Sequence, residues 1–377
     1  MNKSLLARIV VPSFVLGAYI VGGCATDSVT SPAETTGSTT ESLSNQGDRN
    51  GRLPPPPVDP GLSFADLGSC ATESGETIHD CTIGYRTFGQ LNAAKDNVVL
   101  WPTWFTGRTS DLVTLGVPTK FVDTSRYYLV LVDAIGDGVS ISPSNSRRQP
   151  HLRFPKFGLR DMVESQYRLL TEKLGVQHIR AVAGISMGGM QAMQWSVSHP
   201  DFMDKIVSAV GTPQLTSQDL LLWTAMVHSL DENILYRHGE YVGHPTIKTT
   251  ADLLQLVLFT PQYRVENTSR EQFADFLAGG EQTTFDWNDE HRQLEAMIAH
   301  DVSAPYGSLE AAAARVHVPS LYMNSGRDQV VNPLPAERFG ALVHATVEVN
   351  DSDCGHLDVQ VCHTDQAAAR IRSYISE

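Results

Sequence analysis

The stretch "HIRAVAGISMGGMQAMQW", residues 178–195, sets a serine between glycines, with an apolar run before it and a helix-like run after it. Gly184, Ser186 and Gly188 form G-x-S-x-G. That pattern alone is weak, since any glycine-rich loop produces it. Here it closes a strand and opens a helix, the context in which a sharp turn lifts a serine hydroxyl clear of a sheet. Side chains at 184 or 188 would collide with neighbouring backbone in so tight a turn, so the glycines have a steric reason to be there. The other reading of the motif is a packing turn without chemistry. The context favours Ser186 as a nucleophile.

A serine hydroxyl is a weak nucleophile unless a histidine takes its proton and a carboxylate orients that histidine. For a serine on such a turn the partners follow in the order Asp or Glu, then His. "VPSLYMNSGRDQVV" (318–331) puts Asp328 just after a late strand, and "HATVEVNDSDCGHLDV" (344–359) puts His356 after the last one. Most of the 13 histidines have no such setting. Asp353 and Asp358 are too near His356 in sequence to reach it from a separate loop. The oxyanion formed on attack needs two backbone N–H donors, each worth about 2.7 to 4 kcal/mol. Met187 supplies one, and Trp104 or Phe105 in "WPTWFTG" (101–107) the other.

Around these residues, strand-like and helix-like segments alternate. "NVVLWPT", "YYLVLVDA", "IRAVAGI", "KIVSAVG", "VPSLYMNSG" and "HATVEVN" read as centrally buried strands. "LRDMVESQYRLLTEKLG", stopping at Gly175, and "MQAMQWSVSHP", stopping at Pro200, read as helices. The alternation predicts an α/β fold, a mostly parallel sheet with helices on both faces. Residues 214 to about 300 interrupt it with helical patterns such as "QDLLLWTAMVHSL" and "EQFADFLAGG", which read as an inserted helical cap. Trp223, Phe259 and Trp287 are its candidate pocket walls, though aromatic residues at helical spacing are more often core. His291 and His300 lack a carboxylate or cysteine set at ligand spacing, so no metal site is read, and no cofactor is implied.

A net charge of -14 without a basic stripe argues against nucleic acid as a partner. Residues 1–23 resemble a lipoprotein signal peptide: Lys3 and Arg8 precede the apolar "IVVPSFVLGAYIVGG", and "VGGC" resembles a lipobox that would lipidate Cys24. An ordinary cleaved signal is the alternative. Residues 24–62, rich in Ser, Thr, Gly and Pro, read as a disordered tether, leaving a domain at 63–377. This predicts an exported lipoprotein of the outer membrane or cell envelope, held to membrane by its N-terminal lipid.

In an exported chain the other four of the five cysteines pair. A two-residue type II′ turn at Gly75-Glu76 places Cys70 opposite Cys81, at a Cα separation of about 4.5 to 5.5 Å that a disulfide spans. Cys354 and Cys362 bracket His356, and a bridge there would staple its loop. Free thiols are the alternative for the first pair.

With these residues in place, the sequence resembles the homoserine O-acetyltransferase-like branch of the α/β-hydrolase superfamily. The resemblance runs from about Cys81 to the end, carried by "YRTFGQLNAAKDNVVL", "PTWFTG", "FGLRDMVESQYRLLTEKLGV", "GISMGGMQAMQWSVSHPD", "FDWNDEHRQLEAMIAHDVS", "YGSLEAAAARVHVPSLYMNSGRDQVV" and "CGHLD". It implies the α/β-hydrolase fold, with Ser186, Asp328 and His356 on the family's triad. Members are often dimers, so a homodimer is allowed, while the residues themselves leave the oligomeric state open. The transferases usually have an aspartate directly after the histidine, where this chain has Leu357. "WPTWFTG" and "SISPSN" (140–145) also look more like the hydrolase relatives. The expectation is a serine hydrolase of short acyl esters, with small-molecule esters as partners. The alternatives are an O-acetyltransferase and a catalytically silent binding lipoprotein.

Overall fold

The computed structural model describes residues 61–280 and 284–377. The signal segment, Cys24 and nearly all of the tether lie outside these residues. Ten strands are described: β1 (Ser63–Asp66), β2 (Ser69–Ala71), β3 (Thr77–His79), β4 (Thr82–Phe88), β5 (Val98–Pro102), β6 (Tyr128–Val132), β7 (Ile179–Ile185), β8 (Met203–Ala209), β9 (Ser320–Ser325) and β10 (Thr346–Asn350). Between and after them come α1 (Thr109–Leu115), α2 (Leu159–Arg168), α3 (Met187–Ser198), α4 (Ser217–Asp231), α5 (Lys248–Leu258), α6 (Pro261–Asn267), α7 (Phe273–Gly280), α8 (Trp287–Ile298), α9 (Leu309–Ala313), α10 (Leu334–Leu342) and α11 (Thr364–Ser376).

Eight strands form one sheet in the order β1-β4-β6-β5-β7-β8-β9-β10. β4 runs antiparallel to both neighbours, and the remaining pairs are parallel. The period of two in the central strands explains the two cores. Val98, Leu100, Val130 and Val132 face one side with Met162 and Val163 of α2, while Val99, Trp101, Leu129 and Leu131 face the other with Leu112 of α1 and Ile371 of α11. Each such side chain taken fully from water contributes about 1.5–3 kcal/mol. Helices therefore cover both faces, as the alternation predicts.

Two expectations need correction. "HATVEVN" forms β10, but as the last strand of the order it has one neighbour, and none of its residues is fully buried. Its apolar residues and its position after a helix resemble those of a central strand, while edge position depends on strand order. The hairpin register also differs. Cys70 faces Ile78, because the loop has three residues: Thr72 N–H donates to Glu76 O at 3.0 Å, and Gly75 takes the left-handed position at φ 83°. Cys81 still bonds to Cys70, at a Cα separation of 5.8 Å. The chain turns at Asp80 (φ 54°), and Cys81 then exchanges backbone bonds of 2.8 Å with Leu67 and Gly68.

Between β8 and β9 the chain runs through α4 to α9 and, among the described residues, makes no ladder beyond one bridge from Gln214 to Asp301. None of the helices among the described residues is long and apolar enough to cross a membrane.

Candidate active site

Ser186 stands between the last residue of β7 and the first of α3, with φ 56° and ψ -124°. An L-residue at such angles carries about 1–3 kcal/mol of strain and persists only where its surroundings dictate it. The surroundings here do so. Ser186 N–H donates to Ala209 O at 2.9 Å, anchoring the turn to β8. A Cβ on Gly184 would lie 2.2 Å from Gly188 O, and one on Gly188 2.7 Å from Pro102 O. No side chain fits either position, which is the steric role the sequence assigns to these glycines.

Asp328 follows β9 and His356 follows β10, both at the same edge of the sheet as Ser186. Asp328 Oδ1 accepts the N–H groups of Val330 and Val331, at 2.8 and 2.9 Å. Its Oδ2 lies 2.6 Å from His356 Nδ1, and His356 Nε2 lies 2.8 Å from Ser186 Oγ. A carboxylate offers only acceptors, so Nδ1 carries the hydrogen and donates to Oδ2, leaving the Nε2 lone pair for the serine hydroxyl. All three residues are buried. The His356 loop is held from two sides. Cys354 and Cys362 are bonded to each other, and Thr260, just past α5, gives its N–H and hydroxyl to Asp353 O at 3.2 and 2.8 Å.

The rival carboxylates are engaged elsewhere: Asp353 Oδ1 accepts from Arg327 at 2.6 Å, and Asp358 Oδ1 faces His363 Nδ1 at 2.6 Å.

Trp104 and Phe105 line the same cavity as Ser186 and His356. Met187 opens α3, where an N–H has no acceptor within its own helix. The loop carrying Trp104 and Phe105 is pinned by residues that sequence reasoning missed. Ala134 N–H donates to Thr103 Oγ1 at 3.0 Å, and Gln191 of α3 donates to Thr103 O at 3.1 Å. Thr106 N–H reaches Gln293 of α8 at 2.9 Å. Thr109 gives its N–H and hydroxyl to Asp133, at 2.7 and 2.8 Å, and burial raises the Asp133 carboxyl above its usual range. The threonines flanking the aromatic pair are the one local signal that could have pointed to this pinning.

A family model described as the alpha/beta hydrolase fold matches residues 116–359. The chain belongs to that family. Within it, an ethyl acetate hydrolase from Pseudomonas veronii is 30% identical over 210 residues, 54% of this chain and 60% of that one. A homoserine O-acetyltransferase from Geotalea uraniireducens is 26% identical over 314 residues, 71% of this chain and 82% of its own. The solved structure of an acetylester hydrolase from Corynebacterium glutamicum superposes with a TM-score of 0.77 at 25% identity, covering 84% of this chain and 96% of that one. These relatives agree with the branch that the sequence motifs indicate. The match spans 60% of the ethyl acetate hydrolase's length, and 53% of a further curated relative.

In this α/β-hydrolase the cavity over Ser186 holds about 340 Å³ of space between atoms, open solvent at its mouth included. Of the three aromatic residues expected to wall it, Trp223 does, meeting Phe105 edge to face with ring centroids 5.6 Å apart. Phe259 and Trp287 are not among its lining residues. Phe259 stacks on Tyr263 at 4.2 Å, and Trp287 is core of the insert, its indole N–H donating to Pro245 O at 2.7 Å. Helical spacing alone does not tell a wall from a core aromatic. His291 lies 3.1 Å from Asp231 and His300 2.9 Å from Thr212 O, and burial lowers His300 to about 4. Among the described residues no group of three or more His, Cys, Asp or Glu is placed to hold a metal ion.

Proposed function

We propose that the protein is a serine esterase that hydrolyses short acyl esters of small alcohols. The observation carrying this is the unbroken line from Ser186 Oγ through His356 to Asp328, at 2.8 and 2.6 Å, at the floor of a small cavity. Ser186 Oγ bonds to the ester carbonyl carbon while its proton passes to His356 Nε2, and Asp328 accepts from the imidazolium. The N–H groups of Met187 and of Trp104 or Phe105 stabilise the oxyanion. As the intermediate collapses, the bond to the alcohol oxygen breaks and Nε2 gives that oxygen its proton. Water then gives a proton to Nε2, attacks the acyl-serine and releases the acid, restoring the serine hydroxyl.

The narrowness of the cavity over Ser186, walled by Trp104, Phe105, Trp223, Leu254 and Leu258, supports a short acyl chain and a small alcohol. Water as acceptor is supported by Leu357, where the transferases usually carry an aspartate, and by the proposed export, which would part the enzyme from a cytosolic acyl-CoA donor. Acetyl transfer to a hydroxyl acceptor is the second reading, favoured by the long match to a homoserine O-acetyltransferase. A panel of short acyl esters, assayed with and without homoserine, separates the two. Hydrolysis independent of acceptor, falling by about 10⁴- to 10⁶-fold in Ser186→Ala, is the expected outcome. Turnover that requires homoserine would replace this reading with the transferase.

A further inference from the structure

The walls of the Ser186 cavity are mostly apolar, with Leu254, Leu258, Val330 and Leu357 among them. Two lining residues depart from this. Trp223 of α4 and Gln360, in the turn Asp358–Cys362, are 2% and 4% exposed. Trp223 Nε1 and Gln360 Oε1 are both buried and have no hydrogen-bond partner among the described residues. A buried polar atom without a partner is costly, and native structures leave few of them. The residues that carry this unpaired donor and this unpaired acceptor both line the cavity that holds Ser186. A site of mostly apolar walls with a few unsatisfied polar groups fixes a ligand's orientation through those groups.

Resting on the esterase reading, we infer that Trp223 and Gln360 select esters whose alcohol part carries a further hydroxyl, such as monoesters of a diol. A hydroxyl both accepts and donates, so one such group can take the Trp223 N–H and give its hydrogen to Gln360 Oε1. The alcohol side follows from the chemistry. The leaving oxygen takes its proton at His356 Nε2, so the carbon chain beyond it lies next to the segment that carries His356, and Gln360 is four residues further along that segment.

The test compares 2-hydroxyethyl acetate with ethyl acetate, and ethyl glycolate with ethyl acetate, as ratios of kcat/KM within each protein, so that a general loss of activity cancels. The wild type is expected to favour 2-hydroxyethyl acetate by about ten- to a hundredfold, the discrimination available when an analogue leaves buried polar groups unpaired. Gln360→Met and Trp223→Phe should each bring that ratio towards one. A wild-type ratio near one overturns the inference without reference to either variant. A preference for ethyl glycolate alone does so too, since it puts the hydroxyl on the acyl side. A preference that survives both substitutions also overturns it. Failure to hydrolyse any of the three esters overturns the esterase reading and this inference together, whereas equal hydrolysis of all three removes only the inference.

Discussion

The C-terminal edge of the sheet and the helical insert between β8 and β9 both bury polar groups, and Asp328 in one and Glu290 in the other show two opposite ways of treating them. At the sheet edge each oxygen of Asp328 is met, one by two backbone N–H groups and the other by His356. In the insert, burial and the nearby charge of Asp286 push the neighbouring acids Asp289 and Glu290 upward, Glu290 to about 8, while burial above all presses His300 down to about 4. Asp328 is thus surrounded by donors, whereas burial suppresses ionisation at Asp289 and Glu290. The insert is not uniform in this, since against burial the hydrogen bonds from His291, Lys156 and Arg292 hold Glu295 down at about 2. The part of the cavity wall that the insert supplies, Trp223, Leu254 and Leu258, is uncharged.

The sharpest way to break this contrast is Asp328→Asn. The amide would turn an N–H toward His356 Nδ1 and force the hydrogen to Nε2, where it blocks proton transfer from Ser186. We expect kcat to fall by about 10⁴-fold with little change in melting temperature. Steady-state kinetics beside thermal denaturation read both, and near-normal turnover would show that the carboxylate does not set the tautomer.

A smaller effect is expected from Glu290→Gln, and its sign follows from the direction of the shift. The folded state holds the Glu290 proton up to about 8, whereas an unfolded glutamate loses it near its ordinary value of 4.5. The stabilisation this gives is fully present below about 4.5, declines as pH rises, and is lost above about 8. Glutamine carries no such dependence. Urea midpoints from pH 4 to 9 should show the variant gaining on the wild type through that window and holding its lead above it. Parallel profiles would mean that Glu290 ionises in place without penalty.

The smallest expected effect is at Leu221, on α4 and 66% exposed. Leu221→Ser should change stability by no more than about 0.5 kcal/mol and leave ester hydrolysis as it was. A large loss of either would show the outer face of the insert to be part of the working structure.

The parts legible in the sequence are those whose cause is local. Gly184, Ser186 and Gly188 betray their turn because backbone clash forbids anything larger, and chain order is enough to find Asp328 and His356 on later loops. The hairpin register is not legible because Gly75 suits two turn types, and the choice between them depends on residues beyond the turn. β4 carries Thr82, Tyr85, Arg86 and Thr87, too polar to read as an inner strand, yet Arg86 is buried with its Nε 3.0 Å from Thr109 Oγ1. Gln360 gave no signal, since the meaning of a buried amide depends on what it fails to touch.

Residues 186, 328 and 356 follow three different strands, so the proposed nucleophile, base and orienting acid share no local segment. A nascent or truncated chain ending before β9 would hold a correctly shaped serine with nothing to take its proton. During refolding, helical signal should recover well ahead of turnover, because contacts distant in sequence close late. Catalytic competence in this molecule therefore measures completion of the whole sheet and is silent about partial order.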